Sequence, residues 1–143
     1  MSAPAGPATA IGPFELRVTR GDLVRYAGAS GDFNPIHYSD DAARAVDLPG
    51  VIAHGMLTMG LVIQPLIDWA GGDPGAVLAY DVRFARPLAV PDGAAVELTV
   101  AARAAAPEPG RMTVNLTVTS AGQKLLGKAQ AVLDPSRIPS GRR

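Results

Sequence analysis

The chain reads as an α+β domain in which an antiparallel sheet of about five strands wraps around one long apolar helix. Three observations predict this. Met56, Leu57, Met59, Leu61, Val62, Ile63, Leu66, Ile67 and Trp69 place apolar side chains on nearly every face of one helical stretch, and a helix of that kind must be surrounded. The second half of the chain then changes period: apolar residues alternate with polar ones every second position, the signature of half-buried strands. Finally, 143 residues suit one domain with one core.

Each element has its own local justification. Phe14, Leu16 and Val18 alternate with Glu15, Arg17 and Thr19, which predicts a first strand. Thr19 precedes Asp22 by three positions, a capping-box start, and Leu23, Tyr26 and Ala27 continue at helical spacing to about Ala29. Ser39 followed by Asp40 and Asp41 marks a second helix start, ending before Pro49-Gly50. Pro65 inside the apolar helix should kink it or divide it. Strands follow around Leu78–Phe84, Val96–Val100, Met112–Val118 and, more weakly, Leu125–Leu133, with Pro91-Asp92-Gly93, Pro107 to Gly110 and Ala121-Gly122 as turns. Residues 1–13, rich in Ala, Pro and Gly, and residues 134–143 read as flexible tails flanking a single domain over 14–133.

Composition narrows the function classes. Lys+Arg and Asp+Glu balance at 13 each, so the basic footprint of a nucleic-acid binder is missing. There is no cysteine, which removes disulfides, thiolate nucleophiles and thiolate metal sites and is compatible with the cytoplasm. The N-terminus lacks the basic start and apolar core of a signal peptide. His54, Gln64, Pro65 and Asp68 make the stretch from Val51 to Ala70 a buried helix rather than a membrane span.

Residues 31–37, Gly-Asp-Phe-Asn-Pro-Ile-His, carry the chemistry. Asp32 and His37 form an acid/base pair on one short loop, able to hold and deprotonate a water. Asn34 can fix that water or the loop, and Pro35 stiffens the backbone between the reactive groups. Gly55 follows His54 at the start of the apolar helix, where an unpartnered N–H can meet developing negative charge. Blander readings stand beside these. Asp32 and Asn34 also suit a turn, His54 a structural hydrogen bond, Gly55 close packing, and Met56 with Met59 the core. Arg83 and Arg86 are either solvated strand-end charges or a cationic rim for the phosphate of a substrate carrier. Asp32, His37 and His54 also spell a possible iron site, which the apolar helix makes the weaker reading.

The string Tyr26-Ala-Gly-Ala-Ser-Gly-Asp-Phe-Asn-Pro-Ile-His37, followed by Ile52-Ala-His-Gly-Met-Leu-Thr-Met-Gly60, resembles the MaoC-like dehydratases, the hot-dog-fold (R)-specific enoyl-thioester hydratases, over about Phe14 to Leu133. With Gly72-Asp-Pro-Gly-Ala76, these segments look closest to the catalytic B subunit of the mycobacterial (3R)-hydroxyacyl-carrier-protein dehydratase. The resemblance implies that the positions of Asp32 and His37 carry the chemistry and that of Gly55 the oxyanion contact. It also implies a CoA or carrier-protein thioester substrate, no cofactor, and an identical or related hot-dog partner. Ile63-Gln64-Pro65 departs from a glycine-rich stretch in that subunit, which implies a different tunnel lining. A non-catalytic tunnel-forming subunit and a hot-dog thioesterase remain as alternatives.

Overall fold

The computed structural model describes residues 8–142. In chain order the elements are β1 (Thr9–Val18), α1 (Arg20–Ser30), α2 (Asp40–Arg44), α3 (Gly55–Trp69), β2 (Val77–Phe84), β3 (Val96–Ala104), β4 (Met112–Ser120), the two-residue β5 (Gln123–Lys124) and β6 (Leu126–Leu133). The strands form one antiparallel sheet in the order β1-β3-β4-β6-β2, with β5 beside β4. This is the expected α+β architecture of a sheet curled against one helix.

The alternation read from the sequence sets the inner face. Leu98, Val100, Val114, Val118, Ala131 and Leu133 are fully buried and share one core cluster with Val62 and Leu66 of α3. Burial of each large aliphatic side chain stabilises the fold by about 1.5–3 kcal/mol. Thr58, Val62 and Leu66, four residues apart, are the buried stripe of α3. Met56, Gly60, Gln64 and Asp68 form an exposed stripe, with Met56 62% exposed. The expectation of a fully surrounded helix is therefore corrected: the sheet covers one side, and Met56 is not a core residue. Pro65 does not divide the helix either, since α3 runs unbroken across it. Burial of Val62 and Leu66 on both sides of the ring holds the helical path despite the missing N–H.

Both predicted tails are corrected within the described residues. Thr9, Ala10 and Ile11 pair with Ala104, Arg103 and Ala102, and Ile11 is buried. The register shifts between Ile11 and Phe14, around Pro13, which has no N–H to offer the ladder and is tolerated because β1 lies at the sheet edge. At the other end, the Asp134 amide donates to the Ala76 carbonyl, Arg137 pairs with Asp73 at 2.7 Å, and Ile138 is 1% exposed. Arg142 donates to the Trp69 carbonyl at 2.6 Å, at the end of α3 where carbonyls lack helical partners, and also to the Asp68 carbonyl, which accepts from the Gly71 amide as well. Residues 1–7 and 143 of the predicted tails lie outside the described residues.

Thr19 and Asp22 form the predicted capping box, and α1 stops at Gly31, whose φ of 75° is the left-handed conformation of a helix C-cap. Ser39 caps α2, which ends at Arg44. Arg20 clamps both oxygens of Asp40 at 2.9 and 3.0 Å and donates to the Val90 carbonyl, while Asp40 also accepts from the Val51 amide. That brace binds α1, α2 and the segment entering α3 together. The Val51 amide and then the Arg20 guanidinium hold the Asp40 carboxyl below the usual carboxylate range.

Candidate functional site

Asn34 builds the loop between α1 and α2. Its side-chain oxygen accepts from the Ile36 amide and caps a single 3-10 turn at Pro35–His37. Asp32 Oδ1 accepts from the Asn34 amide at 3.2 Å, and the Asp32 amide donates to Ser30 Oγ. These local bonds leave Asp32 Oδ2 facing His37 Nε2 at 3.9 Å. The Asp32 side chain is 51% exposed and that of His37 9%, so a carboxylate at the surface meets an imidazole rooted in the core.

The segment entering α3 sets the state of His37. Ile52 donates its amide to the Ile36 carbonyl, and its own carbonyl lies 2.7 Å from His37 Nδ1. A carbonyl only accepts, so Nδ1 carries a proton, and in the neutral ring Nε2 presents its lone pair toward Asp32. The separation is too long for a direct hydrogen bond and suits one bridging water that donates to both groups.

His54, which its place beside the helix start makes a candidate substrate-binding residue as well as a structural hydrogen-bonder, is a buried residue, and its burial fits the structural role. It is 2% exposed, its ring stacks on His37 with centroids 3.8 Å apart and planes at 22°, and its Nε2 lies 3.1 Å from the Asp32 carbonyl. Ligand atoms of Asp32, His37 and His54 lie within 4.8 Å of one another. Stacked rings nevertheless do not suit a metal, because imidazole lone pairs lie in the ring planes and those of two near-parallel rings do not converge on one point.

Gly55 opens α3 without a side-chain cap from His54, so the N–H groups of its first turn have no intrahelical partner. The positive end of the helix dipole lies there as well. A side chain on Gly55 would begin 3.2 Å from the Phe84 ring, so the residue also permits close packing. Phe84 shares with Gly55 and Thr58 a mostly apolar cavity of about 340 Å³. Arg86 joins that cavity and also bonds Gln123, whereas Arg83 is exposed and is not part of its wall. A larger groove, about 770 Å³, lies between β1 and α3 and includes none of Asp32, His37, His54 or Gly55.

The structure thus joins Asp32, His37, Asn34 and His54 in one cluster and places Gly55 next in chain to it. Sequence reasoning missed the Ile52 carbonyl, whose role is purely backbone and leaves no residue signal. It also missed Phe84, read only as the last apolar position of a strand, and the edge contact of Tyr26 on His54 at a centroid distance of 4.7 Å.

Comparison with known proteins identifies the family of the chain. The family described as the MaoC like domain matches residues 7–122. A 3-hydroxyacyl-thioester dehydratase X of Mycobacterium tuberculosis is 43% identical over 76 residues, which is 53% of this chain and 26% of that protein. An (R)-specific enoyl-CoA hydratase of Rhodospirillum rubrum is 31% identical over 121 residues, covering 84% of this chain and 82% of the relative. A solved MaoC-like dehydratase superposes with a TM-score of 0.84 at 37% identity, covering 89% of this chain and 39% of the other. The chain therefore spans well under half the length of the first relative and of this solved structure. The chain belongs to the MaoC-like domain family.

Proposed function

We propose that the chain is an (R)-specific hydratase/dehydratase that interconverts trans-2-enoyl and (3R)-3-hydroxyacyl thioesters of CoA or acyl carrier protein. The observation that carries this reading is the 3.9 Å gap between Asp32 Oδ2 and His37 Nε2, with both atoms free to accept. A water held there donates one hydrogen to each group and turns a lone pair toward C3 of the enoyl chain. As the C3–O bond forms, the pair takes one proton from the water, and one proton returns to C2. Because both groups sit on one loop, both additions occur on the same face. Such proton transfer contributes about 10²- to 10⁴-fold. The thioester oxygen becomes enolate-like in between, and the Gly55 N–H stabilises that charge more than it does the neutral carbonyl.

The same reading includes a second hot-dog subunit, identical or related. Phe33 is 60% exposed beside Asp32, and Met56 and Phe84 are exposed beside Gly55. β2 pairs with β6 and has no partner on its other edge among the described residues, and an open edge of this kind favours pairing. Arg86 supplies the cationic rim for the phosphate of the carrier. No helix among the described residues is long and apolar enough to cross a membrane, and we place the reaction in the cytoplasm.

Turnover of crotonyl-CoA by the purified chain, alone and with a co-encoded hot-dog partner, tests the assignment. Loss of the enoyl absorbance in the wild type, falling at least about 10²-fold in folded Asp32→Asn and His37→Ala, is expected. Near-normal turnover in either variant overturns it, and thiol release shows a thioesterase instead. Light scattering at assay concentration reads the assembly, and a fully active monomer contradicts the two-subunit site.

A further inference from the structure

We propose that His54 is a positioning residue, the strut through which the start of α3 holds the catalytic loop in register with its base. The proposal rests on the hydratase reading for the chemistry but not for the geometry. Residues 31–34 are tied mainly to their own neighbours: Gly31 to Ala27, Asp32 to Ser30, and Asn34 to Asp32, Ile36 and His37. Among the described residues, the hydrogen bond that joins this stretch to the body of the fold runs from His54 Nε2 to the Asp32 carbonyl.

Three features make His54 suited to this work. Its backbone is fixed on both sides: the Ala53 amide donates to the Leu88 carbonyl, and the His54 carbonyl accepts from the Thr58 amide and hydroxyl. Its ring is clamped between His37 at 3.8 Å and the edge of Tyr26 at 4.7 Å. Its tautomer is assigned by the Asp32 carbonyl, which only accepts, so Nε2 carries the hydrogen and Nδ1 is a bare acceptor. That Nδ1 is buried without a hydrogen-bond partner. A buried polar atom left unpaired is costly, and its retention here points to a demand on the rest of the ring. An aliphatic side chain would fill the space without the unpaired atom, but it would neither hold the Asp32 carbonyl nor face His37 with a flat surface.

His54 therefore couples the two members of the pair. One edge of its ring sets the backbone of Asp32, and its face sets the ring of His37. The 3.9 Å spacing of the pair follows from where His54 stands. A shift of about 1 Å in such a spacing is enough to cost about 10²-fold in rate.

The test compares His54→Phe, which keeps the flat ring but loses the donor, with His54→Gln, whose amide nitrogen reaches the position of Nε2. Kinetics with crotonyl-CoA, thermal melting and amide hydrogen exchange of residues 31–37 are read on each. Expected are a kcat lowered about 10- to 10²-fold in His54→Phe, KM changed less than about twofold, an unchanged melting temperature and faster exchange of the loop. His54→Gln should recover most of the protection and part of kcat. Unchanged kcat in folded His54→Phe overturns the proposal, and so does a raised KM at constant kcat, which would make His54 a substrate contact. Failure of both variants to fold also overturns it and makes His54 a core residue. If the wild type turns over no enoyl thioester, the functional reading fails, and loop exchange alone still decides whether His54 is the strut.

Discussion

The ring of Phe84 lies 3.2 Å from the point where a side chain on Gly55 would begin. An edge-strand aromatic thus closes over the N-terminus of α3, and the absence of a side chain at Gly55 serves packing as well as access to its N–H. Gly55→Ala should displace the ring, which is free to move at the surface, and lower kcat/KM about tenfold without loss of the N–H. In the double variant with Phe84→Ala the methyl group has room, so kcat/KM should return to within about threefold of Phe84→Ala alone. Steady-state kinetics on the three variants checks this. A double variant as impaired as the additive sum would move the cause from Phe84 to the substrate.

Tyr80 predicts an alkaline limit. Its hydroxyl donates to the Met59 carbonyl at 3.0 Å, and burial pushes its pKa up to about 12. The folded state holds this proton more tightly than the unfolded chain does. The resulting stability is fully present below about pH 10, the ordinary tyrosine value, and is lost as pH rises toward about 12. Tyr80→Phe should cost about 1 kcal/mol at neutral pH and flatten the decline in alkali, as read by urea unfolding between neutral and alkaline pH.

Asp40 predicts an acid limit. Its carboxyl is held low, first by the Val51 amide and then by Arg20. Its contribution is present above the usual carboxylate range and lost as pH falls through the depressed value. Asp40→Asn should lower the melting temperature at neutral pH and weaken the dependence of stability on acid. Denaturation midpoints across the acidic range check both effects, and a neutral-pH melting temperature equal to wild type would show that the brace contributes nothing.

Ile138 gives a third stability test. It is buried to 1% although it lies in a segment of Pro, Ser, Gly and Arg. Ile138→Ala should destabilise by about 2–5 kcal/mol, as for a buried aliphatic side chain elsewhere in a core. Urea unfolding monitored by the single tryptophan, Trp69, would show it, and a change within error would return the segment to the status of a loose tail.

Much of this architecture was legible because it rests on periodicity. The alternation of Val96–Val100 and Met112–Val118 reports a half-buried sheet wherever the sheet is placed, and Thr19 with Asp22 announces a helix start through chemistry confined to four residues. The clustering of Asp32, Asn34 and His37 was legible because these residue types stand within one short loop. What escaped depends on contacts between distant segments. Arg137 meets Asp73, and Arg142 meets the end of α3, so a polar stretch that reads as a tail is docked. Apolar residues all round α3 implied a surrounded helix, yet the sheet of one chain reaches one side of it, and Met56 stands exposed. His54 was read from its neighbour in sequence, Gly55, whereas its partners Asp32 and His37 come from a loop before α2.

Docking of residues 134–142 across the far end of α3 turns the chain into a ruler. The fifteen residues of α3 span about 22 Å at 1.5 Å per residue, with the Asp32–His37 loop at one end and Arg142 at the other. Because the chain contains no cysteine, thiols introduced at the exposed positions Gly141 and Phe33 would be the only two available for labelling. One dye would then sit on a fixed mark and the other on the tip of the loop beside Asp32. Changes in their separation would report movement of that loop during turnover without passing through the chemistry at all.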